Sequence, residues 1–232
     1  MIDLKRRLAA EALGSAALAA IVIGSGVMAE RLAGGNVAVA LLANTLATAA
    51  GLFALIVVFA PISGAHFNPA LTLALALRRE LRAREALAYG TVQIIAMLGG
   101  MLLAHAMFGL PAWLPSAKPR PGFAQALGEA VATFMLLTAV LGTRRRSLES
   151  AAATVALTIA AGYWFTSSTS FANPAITLAR ALSDTFAGIR VADVPSFLAG
   201  QFAGCLIASA CAALLFDPAG EAGVATNPQR GR

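Results

Sequence analysis

The sequence HFNPALTLALAL at residues 66–77 returns almost unchanged as FANPAITLARAL at residues 171–182. In each stretch an Asn that can cap a helix is followed by Pro at the first helical position, a pair typical of a helix start. The apolar run after each Asn is too short to span a bilayer. Two half-length helices, one in each half of a membrane protein, predict a solute site near the middle of the membrane. The residues predicted to form it are Asn68, Pro69, Ala70, Asn173, Pro174 and Ala175.

The composition places these stretches in a membrane protein. The chain has 232 residues, of which 59% are hydrophobic and only 12% are charged, far from the balance of a soluble domain. Basic residues at 5–7 followed by apolar sequence could mark a cleaved signal peptide. Glu11 interrupts that apolar run, however, and the run continues to about Met28. We therefore expect a retained first span.

The net charge of +6 does not indicate nucleic-acid binding, because the basic residues cluster between apolar spans, as the positive-inside rule predicts. Cys205 and Cys211 lie six residues apart in one apolar segment, which puts them on different faces of a helix and too far apart to bridge. No Cys/His spacing suits zinc. We expect no metal, no cofactor and no nucleic-acid partner.

Apolar runs long enough to cross about 30 Å of hydrocarbon as helices mark six full spans. They fall at roughly 8–29, 36–60, 86–108, 123–142, 150–168 and 195–216. With the half-helices near 68–77 and 173–182, the expected fold is an all-α membrane protein of six transmembrane helices and two re-entrant half-helices.

Lys and Arg residues predict the orientation. If both termini are cytoplasmic, twelve of these residues fall in inner segments and five (Arg31, Lys118, Arg120, Arg180 and Arg190) fall in outer ones. We expect a multi-pass protein of the cell inner membrane with cytoplasmic termini.

The chain also repeats itself. Glu11, Asn68 and Gln93 in the first half correspond to Glu129, Asn173 and Gln201 in the second. Each half holds three spans, an odd number, so the halves must lie oppositely in the membrane. We expect one channel domain over 1–217, with inverted repeats at about 8–108 and 123–216. A Pro-rich outer loop at about 109–122 links them, and a polar, disordered tail follows at 218–232.

Unwound stretches are expected before the half-helices, at Pro61–Phe67 and Thr166–Ala172. Irregular backbone at membrane depth is tolerated only where it is buried or lines a wet cavity, so its carbonyls can line a pore. The Asn68 and Asn173 amides can donate to a passing oxygen, and the positive ends of both half-helices oppose cations. The sequence predicts a passive pore for small uncharged polar molecules.

Paired Asn-Pro-Ala segments, the stretch SGAHFNPA and the matched Glu11 and Glu129 resemble the aquaporin or major intrinsic protein family over about residues 8–216. The resemblance implies a homotetramer with one pore in each protomer, embedded in the lipid bilayer. It also implies that Glu11 and Glu129 brace the loops before the half-helices. Coupling to protons is the alternative role for an intramembrane carboxylate.

The outer selectivity filter departs from the family pattern. Water-selective members carry Arg three residues after the second Asn, where this chain has Ile176. The other expected filter residues are Thr48, Ser170, and Gly162 or Tyr163. The alternative for Tyr163 is a place at the membrane interface as an aromatic anchor. The constriction should therefore be wider and less charged than in a strict water channel.

Two further residues are candidates for the pore mouths. Arg180 lies seven residues after Asn173, on nearly the same helix face, and could line the outer mouth. Alternatively it extends to the lipid headgroups or pairs with Asp184. His66 could line the inner pore or make a structural hydrogen bond to the loop.

These features predict a channel for glycerol-like solutes, uncharged metalloid hydroxides such as arsenite, and water, and no enzymatic activity. The alternatives are a strict water channel and, less favoured, an inverted-repeat secondary transporter, which would need a coupling-ion site. A membrane-embedded enzyme is disfavoured, since no nucleophile–base pair, metal cluster or phosphate loop is present.

Overall fold

The computed structural model describes residues 2–216, and within them the chain forms eight α-helices and one short 3-10 turn. Six of these helices are long and apolar enough to cross a membrane, so the expected all-α fold is confirmed. The polar tail expected at 218–232 lies outside the described residues. The helices are α1 (Leu4–Leu32), α2 (Val37–Ser63), α3 (Pro69–Leu77), α4 (Ala83–Phe108), α5 (Phe123–Thr143), α6 (Leu148–Phe165), α7 (Pro174–Ala181) and α8 (Val194–Leu215), with the 3-10 turn at Val191–Asp193.

Short polar side chains begin several of these helices. Asp3 accepts a hydrogen bond from the backbone N–H of Arg6 at the start of α1, and Ser147 accepts one from Ser150 at the start of α6. Asn36 caps α2, and Asn68 and Asn173 cap the half-helices α3 and α7. Each cap satisfies backbone donors that the first helical turn leaves without partners.

The end of α2 differs from the expectation that the chain unwinds from Pro61. The helix continues through Pro61 to Ser63 and ends at Gly64, whose φ of 90° lies in the left-handed region that favours glycine. Pro61 lies in the last turn and removes the backbone hydrogen bond that residue 61 would donate to residue 57, but only two further helical residues follow it. The first unwound stretch is therefore only residues 64–68.

The two repeats are built on matching helix pairs, α1 with α4 and α5 with α8. Glycine permits the close approach in each pair. A Cβ on Gly100 would lie 2.1 Å from the carbonyl oxygen of Ala16, and one on Gly204 would lie 2.3 Å from that of Ala130. Such crossings, with backbone against backbone, are typical of membrane helix pairs.

Polar contacts define the two ends of the bundle. At one end, Arg7 pairs with Glu85, and Glu80 pairs with both Arg78 and Arg144; we call this the Arg144 end. At the other end, Glu30 accepts a hydrogen bond from the backbone of Phe186, and loop 109–122 pairs with the segment after α7 through Leu114 and Ser183. We call this the Arg180 end.

Candidate functional site

The half-helices α3 and α7 meet head to head inside the bundle, joined by two reciprocal hydrogen bonds. Asn68 Nδ2 donates to the carbonyl of Ala172, and Asn173 Nδ2 donates to the carbonyl of Phe67, each at 2.8 Å. Each Asn also accepts, through Oδ1, from the backbone N–H two residues ahead. Each amide thus caps its own half-helix and holds the opposite loop, leaving its second N–H for the cavity that it lines.

Glu11 organises the loop before α3. Its carboxylate accepts from the backbone N–H groups of His66 at 2.9 Å and Phe67 at 2.8 Å, and from the Ser63 hydroxyl at 2.6 Å. Gln93 Nε2 adds a fourth bond at 2.8 Å. A fully buried carboxylate is tolerated only when its oxygens are satisfied in this way.

Glu129 makes the same arrangement in the loop before α7. It accepts from the backbone N–H groups of Phe171 and Ala172, each at 2.8 Å, and from Gln201 Nε2 at 2.5 Å. Gln201 Nε2 also lies 2.8 Å from Thr177 Oγ1, as Gln93 Nε2 lies 3.0 Å from Thr72 Oγ1 in the other repeat.

Both loops hold non-glycine residues in left-handed backbone conformations. Ala65 and Phe67 have φ of 49° and 46°, and their counterparts Ser170 and Ala172 have 50° and 48°. Such conformations cost of order 1 kcal/mol or more each and persist only when surrounding contacts impose them. The hydrogen bonds to the two carboxylates are such contacts, because in each loop they fix the backbone N–H between the two left-handed residues and the N–H of the second of them.

One cavity of about 340 Å³ passes both capping asparagines. It extends from Thr143 and Arg144 at one end to Ser170 and Arg180 at the other, with walls contributed by both repeats. Its surface is mostly aliphatic, with Leu71 and Ile176 in corresponding positions after the two asparagines. The sparse polar groups along an apolar wall suit a small solute that carries a few hydroxyl groups.

Of the five residues considered for the filter, four line the cavity and one, Gly162, does not. Thr48, Tyr163, Ser170 and Ile176 all line the cavity. Tyr163 is buried, not at the surface, and its hydroxyl lies 3.3 Å from Thr48 Oγ1. Gly162 stands behind Ser170: a Cβ on it would lie 2.6 Å from Ser170 Oγ. Of the two candidates on α6, Tyr163 is therefore the one that reaches the cavity.

Arg180 lies inside the protein at the Arg180 end of the cavity. Its side chain is only 2% exposed, so it does not extend to the surface, and it forms no ion pair with Asp184, whose carboxylate instead accepts from Ser116 and Ala117. Its Nε donates to the carbonyl of Ala187. The guanidinium lies against the ring of Phe171, with Cζ 3.2 Å from the ring centroid.

His66 lines the cavity on the other side of the asparagines. Its Nδ1 lies 3.1 Å from Thr72 Oγ1, and its ring packs at a tilt against Tyr89. Tyr89 in turn donates to the carbonyl of Ser63 and accepts from Arg7 Nε. His66 is thus both a cavity residue and part of the loop's hydrogen-bonding network.

The sequence did not single out Phe171 or Arg120, which the structure brings to the same place. Arg120 Nη1 donates to the carbonyl of Ser168 at 3.0 Å, and its Cζ lies 4.9 Å from the ring centroid of Phe171. Phe171 could have been found by its position, since it aligns with His66. Arg120 comes from a loop without periodicity, and no sequence signal places it here.

Comparison with known proteins is consistent across three kinds of match. A family model described as major intrinsic protein matches residues 1–160. Aquaglyceroporin AqpS of Rhizobium meliloti is 46% identical over 217 residues, covering 94% of this chain and 93% of that protein. A probable aquaporin, AqpM of Archaeoglobus fulgidus, is 32% identical and covers 71% of this chain and 72% of that protein. The aquaglyceroporin structure from Plasmodium falciparum has the same fold, with a TM-score of 0.68 at 21% identity, covering 94% of this chain and 97% of that one.

Proposed function

The chain belongs to the major intrinsic protein family and is a multi-pass membrane channel, not an enzyme; we propose that its pore is the cavity between Arg144 and Arg180. The observation that carries the proposal is that one cavity passes both capping asparagines and is walled by both repeats. Water and small neutral solutes such as glycerol are the solutes of this channel, in keeping with the aquaglyceroporin relative.

We further propose that uncharged metalloid hydroxides such as arsenite pass. The support is the aliphatic side chain of Ile176 on the cavity wall, at the position where water-selective members carry Arg. In this proposal the aliphatic side chain leaves room for a solute wider than water at that position, and the guanidinium of Arg180, held against Phe171, lies one helical turn farther along α7. Thr48, Tyr163 and Ser170 supply the hydroxyl groups that can exchange hydrogen bonds with such a solute.

Asn68 and Asn173 order the solute in the middle of this pore. Each lines the cavity, keeps one amide N–H outside the bonds between the loops, and sits at the positive end of a half-helix. The combined field opposes cations and hydrated protons but not neutral solutes. In this proposal Glu11 and Glu129 are structural, and Arg180 and His66 line the two mouths.

Replacement of Ile176 by Arg tests the filter. In liposomes, Ile176→Arg should keep water permeability but lower glycerol and arsenite uptake by about tenfold or more, because a fixed charge and added bulk both oppose the larger solute. Ile176→Val is the matched control and should keep all three fluxes. Unchanged glycerol flux in Ile176→Arg would refute the filter assignment, and water flux without glycerol flux in the wild-type protein would refute the wide pore.

We also propose that both termini face the cytoplasm of the inner membrane and that the protein is a homotetramer. The Arg144 end carries the basic residues Arg7, Arg78 and Arg144, as the positive-inside rule favours. Green fluorescent protein fused after Arg232 should then fluoresce, and alkaline phosphatase fused there should be inactive. Light scattering in detergent should give four times the 23.6 kDa chain mass.

A further inference from the structure

Three consecutive backbone carbonyls at the Arg180 end each hold a cationic side chain. Phe186 accepts from Lys118 Nζ at 2.7 Å, Ala187 accepts from Arg180 Nε, and Gly188 accepts from Arg120 Nε at 3.0 Å. Carbonyl groups orient these side chains but carry no formal charge. Three positive charges are therefore gathered beside the mouth of the cavity.

No nearby carboxylate in the described residues forms an ion pair with the three cations, although Glu129 attracts Arg120 and Arg180, and Glu30 and Asp184 attract Lys118. Asp184 accepts from Ser116 and Ala117, and Glu30 accepts from the backbone of Phe186. Asp193 pairs with Arg190 and otherwise accepts only from the backbone N–H of Arg120. Within residues 2–216, no ion pair joins a carboxylate to Lys118, Arg120 or Arg180.

Burial makes this arrangement costly, and the positive charges also repel one another. Burial lowers the pKa of Arg120 to about 10. Burial, followed by the charges of Arg120 and Arg180, lowers the pKa of Lys118 from its ordinary value. A nearby anion would relieve this repulsion, since an opposite charge within a few ångströms stabilises each cationic form.

Arg180 supplies a docking point for such an anion. It is almost fully buried and lines the cavity, and the ring of Phe171 fixes its guanidinium in place. Its Nε is occupied by Ala187, whereas its two terminal nitrogens have no hydrogen-bond partner in the described part of the chain. A fixed guanidinium fork with free N–H groups matches a planar, bidentate acceptor such as a carboxylate.

We propose that the Arg180 end of the cavity is a binding site for small oxyanions, carboxylates in particular, held by the Arg180 fork and attracted by Lys118 and Arg120. The bound anion lies in the path of neutral solutes, and the apolar side chains of Ile176 and Leu71 farther in oppose its entry with its hydration shell. External oxyanions thus inhibit the channel. This inhibition rests on the proposed function, whereas the binding site does not.

The first experiment measures glycerol-driven volume change of liposomes containing the protein, with sodium formate replacing sodium chloride at equal ionic strength. Formate should reduce the flux saturably, and chloride should not. Arg180→Met should raise the half-inhibitory formate concentration about tenfold or more, because it removes a bidentate charge-assisted pair. Arg180→Lys should give an intermediate value, since it keeps the charge but not the fork.

Arg31→Met is the matched control. Arg31 lies at the same end and bonds to the carbonyl of Phe108, outside the cavity. Its removal takes away one positive charge without touching the proposed site, so the inhibition by formate should be unchanged. Equal inhibition in wild type, Arg180→Lys and Arg180→Met, or an equal loss in Arg31→Met, would overturn the site.

The second experiment measures formate binding to the detergent-solubilised protein by calorimetry, together with the melting temperature. Wild type and Arg31→Met should bind formate and gain stability, and Arg180→Lys should bind several-fold more weakly. Should Arg180→Met fail to assemble, Arg180→Lys carries the test, because it keeps a donor for Ala187. Binding without any glycerol flux would leave the site standing and refute the proposed function; glycerol flux without formate binding would do the reverse.

Discussion

The loops before α3 and α7 have the same backbone but different linings. Left-handed residues recur at 65 and 67 and at 170 and 172. In each loop, backbone N–H groups donate hydrogen bonds to one buried carboxylate. The side chain two residues before the capping Asn is His66 in one loop and Phe171 in the other. Duplication therefore preserves the scaffold that positions the asparagines and leaves the lining free to differ.

The half-helices themselves also differ in charge at one aligned position. Leu75 in α3 packs against an apolar cluster that includes Leu137 and Cys205, whereas the aligned Arg180 in α7 lines the cavity and bonds to Ala187. The aligned positions of the two half-helices therefore differ in charge, whereas the cavity has an arginine at each end, Arg144 at one and Arg180 at the other.

The largest effect should follow from removing the shared scaffold. Glu11→Leu would leave four donors without an acceptor and Glu129→Leu at least three. Each buried donor left unpaired costs about 1–3 kcal/mol, so both variants should lose most of their folded yield. The measurements are monodisperse yield and melting temperature in detergent.

Glu149→Leu is the control for this pair, because Glu149 is exposed in the first turn of α6. Its loss removes only a favourable charge at a helix start, about 0.3–1 kcal/mol. If either buried variant matched this control, the two carboxylates would not be equivalent braces.

A smaller and unequal effect should follow from truncating the residues that differ. Phe171 is buried and packs edge-on against Phe197 with ring centroids 4.9 Å apart, so Phe171→Ala should cost about 3–5 kcal/mol. His66→Ala should cost only about 1 kcal/mol, because Thr72 keeps its bond to Gln93. The His66→Ala substitution should also raise glycerol flux, because the smaller side chain widens the inner cavity.

Melting temperatures and glycerol flux of the two variants check this prediction. Phe165→Ala is the control, because that side chain is 55% exposed at the end of α6. Equal destabilisation by His66→Ala and Phe171→Ala would mean that both residues serve the scaffold, and the contrast between the two linings would not hold.

Local signals predicted the scaffold well. The Asn-Pro pairs predicted the starts of α3 and α7, and the repeat predicted that Glu11 and Glu129 would occupy matching places. The unwinding expected at Pro61 was wrong, because Gly64 and the bond from Ser63 to Glu11 determine where α2 ends. The general tendency of proline to end a helix takes no account of such tertiary contacts.

The cation cluster could not be predicted in this way. Lys118 and Arg120 come from a loop, and their partners at residues 186–188 come from a second loop about 70 positions away in sequence. No periodicity relates two irregular segments to each other. By contrast, Tyr163 and Thr48 lie on helices, and the resemblance to the family placed both among the filter candidates although 115 residues separate them.

The smallest effect should come from the asparagines taken one at a time. Asn68→Ala removes one cap bond and one bond to the opposite loop, and Asn173→Ala removes two cap bonds and one such bond. A lost cap costs about 1 kcal/mol, so both variants should fold, with Asn173→Ala slightly less stable. Melting temperatures of the two single variants and the double variant measure this.

The double variant decides whether the two repeats act as one unit. Both crossing bonds join the same pair of loops, so removing the first frees the loop that the second would hold. The second substitution should then cost less than it does alone, because contacting residues that share partners are not additive. Strict additivity would instead mean that Glu11 and Glu129 hold each loop independently, and that the asparagines only cap their own half-helices.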